Sequence, residues 1–196
     1  MSLYVNHTIR KSYQNKCLLL QNFMIYYKKR GDSVNKEIRK NMEETEKVLQ
    51  YISNPDALEF SEWTKEKVNL RYNGQMPKFP IYNNFIYWCN LGINVGSEQN
   101  KLRPVLVVKT SKNSPICTII PLTSKRLHDK FWFHIDLEEI DSTVLVEQLK
   151  VVSKLRMVNP FRKQGQLVTI LQSDWNKVNS QLERLYRLRP LENEEI

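Results

Sequence analysis

The residues whose types and spacing can do chemistry lie between positions 85 and 125. Glu98 stands in a polar loop that follows an apolar run, and Arg103 comes five residues later, directly before a second apolar run at 105–108. Thr123 closes the next apolar run. If these runs are adjacent strands, one end of a sheet carries a carboxylate, a guanidinium and a hydroxyl.

This set of groups suits cleavage of a phosphodiester without a metal. RNA supplies its own nucleophile, the 2′-hydroxyl, so the protein needs only to move protons and stabilise charge. A guanidinium binds phosphate oxygens in bidentate fashion, a hydroxyl donates to a non-bridging oxygen, and a carboxylate accepts a proton. The same residues also fit a plain surface ion pair between Glu98 and Arg103, with Thr123 an ordinary residue at a strand end.

Six short runs, rich in β-branched and aromatic residues, indicate the strands that position these groups. Turn residues separate the runs at near-regular spacing, which is typical of a small antiparallel barrel or sandwich. Helical periodicity then returns over 173–189, with Ser173 or Asp174 as the N-cap. The six runs are residues 85–89, 105–108, 116–120, 131–135, 143–146 and 166–170.

The pattern of the first 78 residues predicts an α-helical extension. Residues 79–196 are expected to form a separate domain. Apolar residues recur at three and four positions over 17–27, and positions 31–33 then break the pattern and offer an N-cap. Two further helices follow, the second with Pro55 in its first turn. Short helices of this kind need a partner surface to bury their apolar stripes.

Composition narrows the class of protein. The 196 residues carry 30 Lys and Arg against 21 Asp and Glu, a net charge of +9 that favours a polyanionic partner. Three distant cysteines and three histidines exclude a disulfide framework and a thiolate zinc site, and they argue against a metallohydrolase. His134 is interpreted as a packed or exposed strand residue, and His7 and His128 have no evident partner.

The chain is expected to be cytoplasmic and to have no membrane association. Its longest apolar stretch, 17–27, is too short to cross a bilayer, and no apolar segment typical of a signal peptide lies near Met1.

Four motifs in order give the chain a resemblance to a known family. They are NVGSEQNKLRPVLVV at 94–108, IIPLTSK at 119–125, HIDL at 134–137 and VLVEQLKVVSKLR at 144–156. This series resembles the MazF/PemK (Kid) toxins over roughly residues 80–190. Two departures are that Asn83-Asn84 replaces the usual Gly-Asp before the first strand, and that Val152-Ser153 replaces the usual Ile-Asp.

The resemblance implies an α+β fold, a small SH3-like antiparallel β-barrel with a C-terminal helix, here preceded by the α-helical extension. It also implies a sequence-specific endoribonuclease toxin of the mRNA interferase type. Such an enzyme works as a homodimer without metal or other cofactor and cuts single-stranded RNA to 2′,3′-cyclic phosphate and 5′-hydroxyl ends. Its partner is a cognate antitoxin that lays an acidic segment across the RNA groove.

Site residues follow from the resemblance position by position. Arg103 and Thr123 fall on the catalytic arginine and threonine, and Ser97 and Glu98 fall in the active-site loop, with Glu98 as a proton acceptor. The residues expected to bind RNA are Gln99, Lys101, Lys125, Gln148 and Lys150.

Two other function classes remain open at this point. The related CcdB proteins use the same barrel to poison DNA gyrase by contact and cut nothing, and a regulatory RNA-binding module is a further alternative. The joint presence of Arg103, Thr123 and the GSEQ loop argues against a gyrase poison, because contact inhibition has no use for those three features.

Overall fold

The structure, a computed structural model, describes residues 31–187 of the chain. Three helices lie in that range: α1 at 31–49, α2 at Asn54–Tyr72 and α3 at Gln172–Tyr186. The strands are β1 Ile86–Asn90, β2 Leu102–Thr110, β3 Ile116–Thr123, β4 His134–Asp136, β5 Thr143–Leu145, β6 Lys150–Ser153, β7 Met157–Pro160, β8 Arg162–Lys163 and β9 Gln166–Leu167. Two 3₁₀ turns, η1 Val146–Gln148 and η2 Lys154–Arg156, flank β6. The helix predicted over 17–27 lies outside the described residues.

The prediction that positions 31–33 interrupt the helical pattern is wrong, because all three belong to α1. The apolar stripe of α1 was expected to be buried, but Val34 and Ile38 are each 50% exposed and Met42 is 68% exposed. None of the described helices is both long and apolar enough to span a membrane.

Helix α2 begins at a side-chain cap. The Oγ of Ser53 accepts a hydrogen bond from the Asp56 backbone N–H at 3.4 Å, and its hydroxyl donates to the Asp56 carboxylate. The chain divides into two compact units between Glu59 and Phe60, within this helix. The domain boundary expected after residue 78 stays a prediction.

The larger sheet is antiparallel and open. Its hydrogen-bonded order is β4-β5-β3-β2-β1-β7, and β6 pairs with the first half of β3 while β5 pairs with its last two residues. Strands β8 and β9 form a separate hairpin. The predicted α+β class, antiparallel sheet and C-terminal helix are confirmed, but the sheet is not a closed barrel, since β4 and β7 end the order without pairing to each other.

Two apolar cores cover opposite faces of this sheet, because side chains alternate along each strand. One core includes Tyr87, Val105 and Ile119. The other includes Leu106 and Ile120, and there α3 contributes its buried Val178.

Two of the predicted strands are shorter than expected. The run 131–135 forms a strand only from His134, because the His134 N–H donates to the Phe131 carbonyl at 3.0 Å and closes a turn over the residues before it. The run 166–170 contributes only the two residues of β9 to a ladder.

The predicted N-cap of α3 is also wrong. Leu171 takes the cap position with no side-chain hydrogen bond. The carboxylate of Asp174 is instead buried, accepts the Glu138 N–H at 3.0 Å and pairs with Lys177 at 3.2 Å. A tertiary contact therefore takes the carboxylate that local capping rules assign to the helix end.

Leu106→Ala is expected to lower the free energy of unfolding by about 2–5 kcal/mol, because it leaves a cavity in a closely packed core. Leu102→Ala, in the same strand, is the matched control. Leu102 is 51% exposed, so replacing it with alanine is expected to lower the free energy of unfolding by at most about 0.5 kcal/mol. Urea denaturation measures both, and equal effects would contradict the assignment of Leu106 to the core.

Candidate active site

Arg103 and Thr123 lie on the same face of the sheet, at one end of the neighbouring strands β2 and β3. Val105 pairs with Pro121, and the same register continued by two residues sets Arg103 opposite Thr123. Arg103 is half-buried, and Thr123 is buried at 5% exposure. The guanidinium Nε donates to the Asn100 carbonyl at 2.7 Å, and the Thr123 Oγ1 accepts the Lys125 backbone N–H at 3.2 Å.

The loop 91–101 closes over the start of β2 through its own backbone. The Leu91 N–H donates to the Lys101 carbonyl at 2.9 Å, and the Lys101 N–H donates to the Gly92 carbonyl at 2.6 Å. Three residues adopt positive φ to make these turns, Gly92 at 80°, Gly96 at 62° and Lys101 at 67°. The loop therefore leaves and re-enters the sheet at adjacent points, with Ser97 and Glu98 exposed near its tip.

The turn η1 and the first residue of β6 fix this loop from the side. The side-chain Oε1 of Gln148 accepts the Gln99 backbone N–H at 3.3 Å, and the Lys150 ammonium lies 3.5 Å from the Glu98 carboxylate. Lys150 pairs with Ile119 of β3, so it shares the sheet face that carries Arg103. The structure thus brings together two residue pairs that are about 50 positions apart in sequence.

The alternative of an ion pair between Glu98 and Arg103 is not what the structure contains. Glu98 pairs with Lys150, and the hydrogen bond of Arg103 Nε goes to a backbone carbonyl. Lys101 and Lys125 are exposed on the flanks of the site.

Helix α2 also reaches this loop, through a tryptophan. The Trp63 ring lies so close to Gly92 that a Cβ built on the glycine would stand 2.1 Å from ring carbons. The Arg156 guanidinium stacks on the same ring at 5.0 Å and donates to the Asn90 and Leu91 carbonyls at 3.3 and 2.8 Å. The sequence analysis did not find this contact, for which Gly92 beside a strand end is a local signal.

Cys89 lies under the site, since it is the partner of Arg103 in the register of β1 and β2. Burial raises the pKa of its thiol to about 12, helped by the nearby Cys117 and opposed by the cations of Arg156 and Lys150.

His134 contacts two carboxylates through its ring nitrogens, an arrangement that the sequence analysis did not find. Its Nδ1 lies 2.6 Å from Asp129 and its Nε2 lies 3.2 Å from Glu147, with only 6% of the side chain exposed. Desolvation raises the pKa of Asp129, but the hydrogen bonds from His134 and from the Phe131 N–H outweigh it and leave that pKa below its usual range.

In residues 31–187, no group of three or more His, Cys, Asp or Glu is arranged to hold a metal ion. His128, for which no partner was evident, lies 3.2 Å from Asp136.

The first strand begins at a residue in the left-handed conformation. Asn84, at φ 66°, donates its N–H to Val107 and accepts from Ile170 and from the Thr169 hydroxyl. The asparagine found in place of the usual Gly-Asp therefore supports the start of β1, since asparagine tolerates this conformation better than most residues.

Comparison with known proteins identifies the family. Residues 84–186 match the family model described as PemK-like, MazF-like toxin of type II toxin–antitoxin system, which is just over half of the chain. The chain belongs to this family. Endoribonuclease EndoA of Bacillus subtilis (strain 168) is 30% identical over 83 residues, which are 38% of this chain and 72% of that protein.

Two solved structures are similar to this chain over a little more than half of its length. MazF from Deinococcus radiodurans aligns with a TM-score of 0.48 at 19% identity, over 57% of this chain and all of its own. An endoribonuclease in complex with its cognate antitoxin, from a mycobacterial species, aligns with a TM-score of 0.42 at 14% identity, over 57% of this chain and 99% of its own.

Gly92→Ala is expected to destabilise the protein more than Gly96→Ala. Both glycines have positive φ, at which a Cβ costs about 1–2 kcal/mol, but only position 92 faces the Trp63 ring, whereas position 96 faces open space. The overlap is expected to add about 1–3 kcal/mol, measured by urea denaturation. In a Trp63→Ala background this excess disappears, and an excess that persists there would contradict the contact.

The thiols of Cys89 and Cys117 are expected to react slowly in the folded protein. Burial raises their pKa values from 9.0 to about 12 and about 11, so the thiolate is scarce by a factor of about 100 or more. Iodoacetamide labelling of a Cys17→Ser variant, with and without urea, measures this difference. Because the folded pKa values are raised, these thiols also lower the free energy of unfolding as pH rises above 9. Rapid labelling of the folded protein would contradict the burial.

Proposed function

We propose that this protein is an endoribonuclease toxin of a toxin–antitoxin pair, acting on single-stranded RNA at short specific sequences. The observation that carries the proposal is the arrangement of Arg103 and Thr123, side by side on one sheet face within the segment that matches the toxin family. The related EndoA protein, named an endoribonuclease, supports the same activity.

In the proposed mechanism Arg103 binds the scissile phosphate. Its Nε is already oriented by the Asn100 carbonyl, and the guanidinium carries further N–H groups that can donate to the phosphate oxygens. A guanidinium stays charged at any working pH, so it stabilises the negative charge that builds up as the 2′-hydroxyl attacks. Thr123 donates its hydroxyl proton to a second oxygen of the same phosphate.

Glu98 accepts the proton of the attacking 2′-hydroxyl in this proposal. The Lys150 ammonium and the bond between Gln148 and the Gln99 backbone hold the loop that carries it. Ser97, beside Glu98, donates a hydrogen bond to the substrate. The attack forms a 2′,3′-cyclic phosphate and breaks the bond from phosphorus to the 5′-oxygen, which takes up a proton from water and leaves as the 5′-hydroxyl, without a metal ion.

Five residues are proposed to bind the RNA around the cut. Gln99 is half-buried in the loop beside Glu98, and its side-chain oxygen has no hydrogen-bond partner within the described range. Lysines near the site attract the phosphate backbone. The residues are Gln99, Lys101, Lys125, Gln148 and Lys150.

The proposal extends to the setting of the protein. It acts as a cytoplasmic homodimer and is inhibited by a cognate antitoxin with an acidic segment. The net charge of +9 supports both an RNA substrate and an acidic inhibitor, because each presents negative charge to this surface.

Arg103→Ala is expected to slow RNA cleavage by about 10²–10³-fold, the usual effect of removing one donor to a developing oxyanion. Purified protein is incubated with a long single-stranded RNA in EDTA, and the ends of the fragments are analysed. Discrete cuts with 2′,3′-cyclic phosphate ends support both the mechanism and its independence of metal.

Arg162→Ala is the matched control, because Arg162 is an exposed arginine on the β8–β9 hairpin. It is expected to cut at the parental rate. Toxicity that survives Arg103→Ala would refute the nuclease and favour a contact poison, for which gyrase binding is the next measurement. Binding of RNA without any cleavage would favour the regulatory module.

A further inference from the structure

A second groove lies between the last three turns of α2 and the turn η2. Its volume is about 570 Å³. It is outside the set of residues assigned to cleavage, and its α2 side precedes the family segment in sequence. Its polar and aromatic lining residues are Trp63, Lys67, Arg71, Tyr72, Ser153 and Arg156, and the aliphatic residues Val68, Leu70 and Leu155 complete the lining.

The α2 side of the groove is one face of the helix. Trp63, Lys67 and Arg71 recur at intervals of four, so their side chains lie along one stripe. Lys67, Arg71 and Tyr72 are exposed. Arg156 contributes a third cation from the opposite wall, and none of the described residues that line the groove is acidic. The groove therefore carries a local positive charge beside two aromatic rings.

This groove lies one short strand away from the candidate active site along the chain. Strand β6 runs from Lys150, beside the Glu98 carboxylate, to Ser153 in the groove wall, a distance of about 10 Å at 3.3 Å per residue. Arg156 connects the two from below, since it donates to the Leu91 carbonyl at the start of the active-site loop. The site and the groove therefore each carry cations, with Val151 and Val152 of β6 between them.

Cations interleaved with aromatic rings are the pattern that binds single strands of nucleic acid. The cations follow the phosphate backbone, while exposed rings such as Tyr72, 77% exposed, provide a surface on which a base stacks. We propose that this groove binds the single-stranded RNA that flanks the cleaved position, so that α2 extends the substrate-binding surface. The inference rests on the proposed function.

The test compares Lys67→Ala/Arg71→Ala with its parent, both in an Arg103→Ala background so that the RNA stays intact. Binding is measured by fluorescence anisotropy over a range of salt concentrations. The probes are a long single-stranded RNA and a short fragment that fills only the active site. Lys65→Ala is the matched control for Lys67→Ala. Both lysines are exposed on the same helix, but their directions differ by about 200°, and only Lys67 lines the groove.

Two lost phosphate contacts are expected to lower the slope of log affinity against log salt by about 1.4 for the long RNA and to weaken its binding about tenfold at physiological salt. The affinity for the long RNA, divided by the affinity for the short fragment, is expected to fall because only the long RNA reaches the groove. Lys67→Ala alone is expected to lose about fourfold, whereas Lys65→Ala stays within twofold of the parent, as does the binding of the short fragment.

Unchanged binding of the long RNA by Lys67→Ala/Arg71→Ala would overturn the proposal that the groove binds RNA. The proposed function would still stand if the unsubstituted protein cleaves RNA in a way that depends on Arg103. If that protein neither cuts nor binds RNA, the proposed function itself fails. A loss of affinity for an acidic peptide such as polyglutamate, with RNA binding unchanged, would assign the groove to a protein partner and overturn the proposal.

Discussion

The pairing of β2 with a neighbour on each edge is the constraint on which the site depends. On one edge the register sets Arg103 opposite Cys89, and on the other it leads Arg103 to the side of Thr123. A shift of one residue in either ladder would turn the guanidinium to the opposite core. The buried apolar residues of β2 fix that register, so the packing of the sheet determines where charge is presented to a substrate.

A second set of contacts brings distant parts of the chain to one loop. Gln148 and Lys150 hold the loop from within the family segment, and Trp63 holds its first residues from a helix that precedes that segment. Trp63 and Arg156 stack on each other, and Arg156 donates to the Leu91 carbonyl. The part of α2 that carries Trp63 is therefore linked by direct contacts to the loop of the candidate site.

Local pattern was enough to predict some features. Alternating β-branched residues indicated β2 and β3, and the motif around Arg103 and Thr123 indicated which end of them carries the chemistry. The structure agrees on the two strands and sets Arg103 and Thr123 at one end of them, and the chemistry assigned to these residues stays a prediction. Local pattern failed where a long-range contact outweighs it: Asp174 leaves its expected role as a helix cap for the Glu138 N–H, and His134 is held between Asp129 and a carboxylate 13 residues later.

The contact between Trp63 and Gly92 has a consequence for the history of the sequence. An aromatic ring cannot lie where it does over any residue that carries a Cβ, whereas a glycine at position 92 is tolerated without the ring. The two positions are therefore epistatic and the order of change is constrained: glycine had to arise first, and once tryptophan was in place the glycine could no longer be replaced. A homologue that lacks the helix is free of the ring overlap and keeps only the cost of the positive φ at position 92, so a residue with a Cβ at that position should mark relatives without a docked α2.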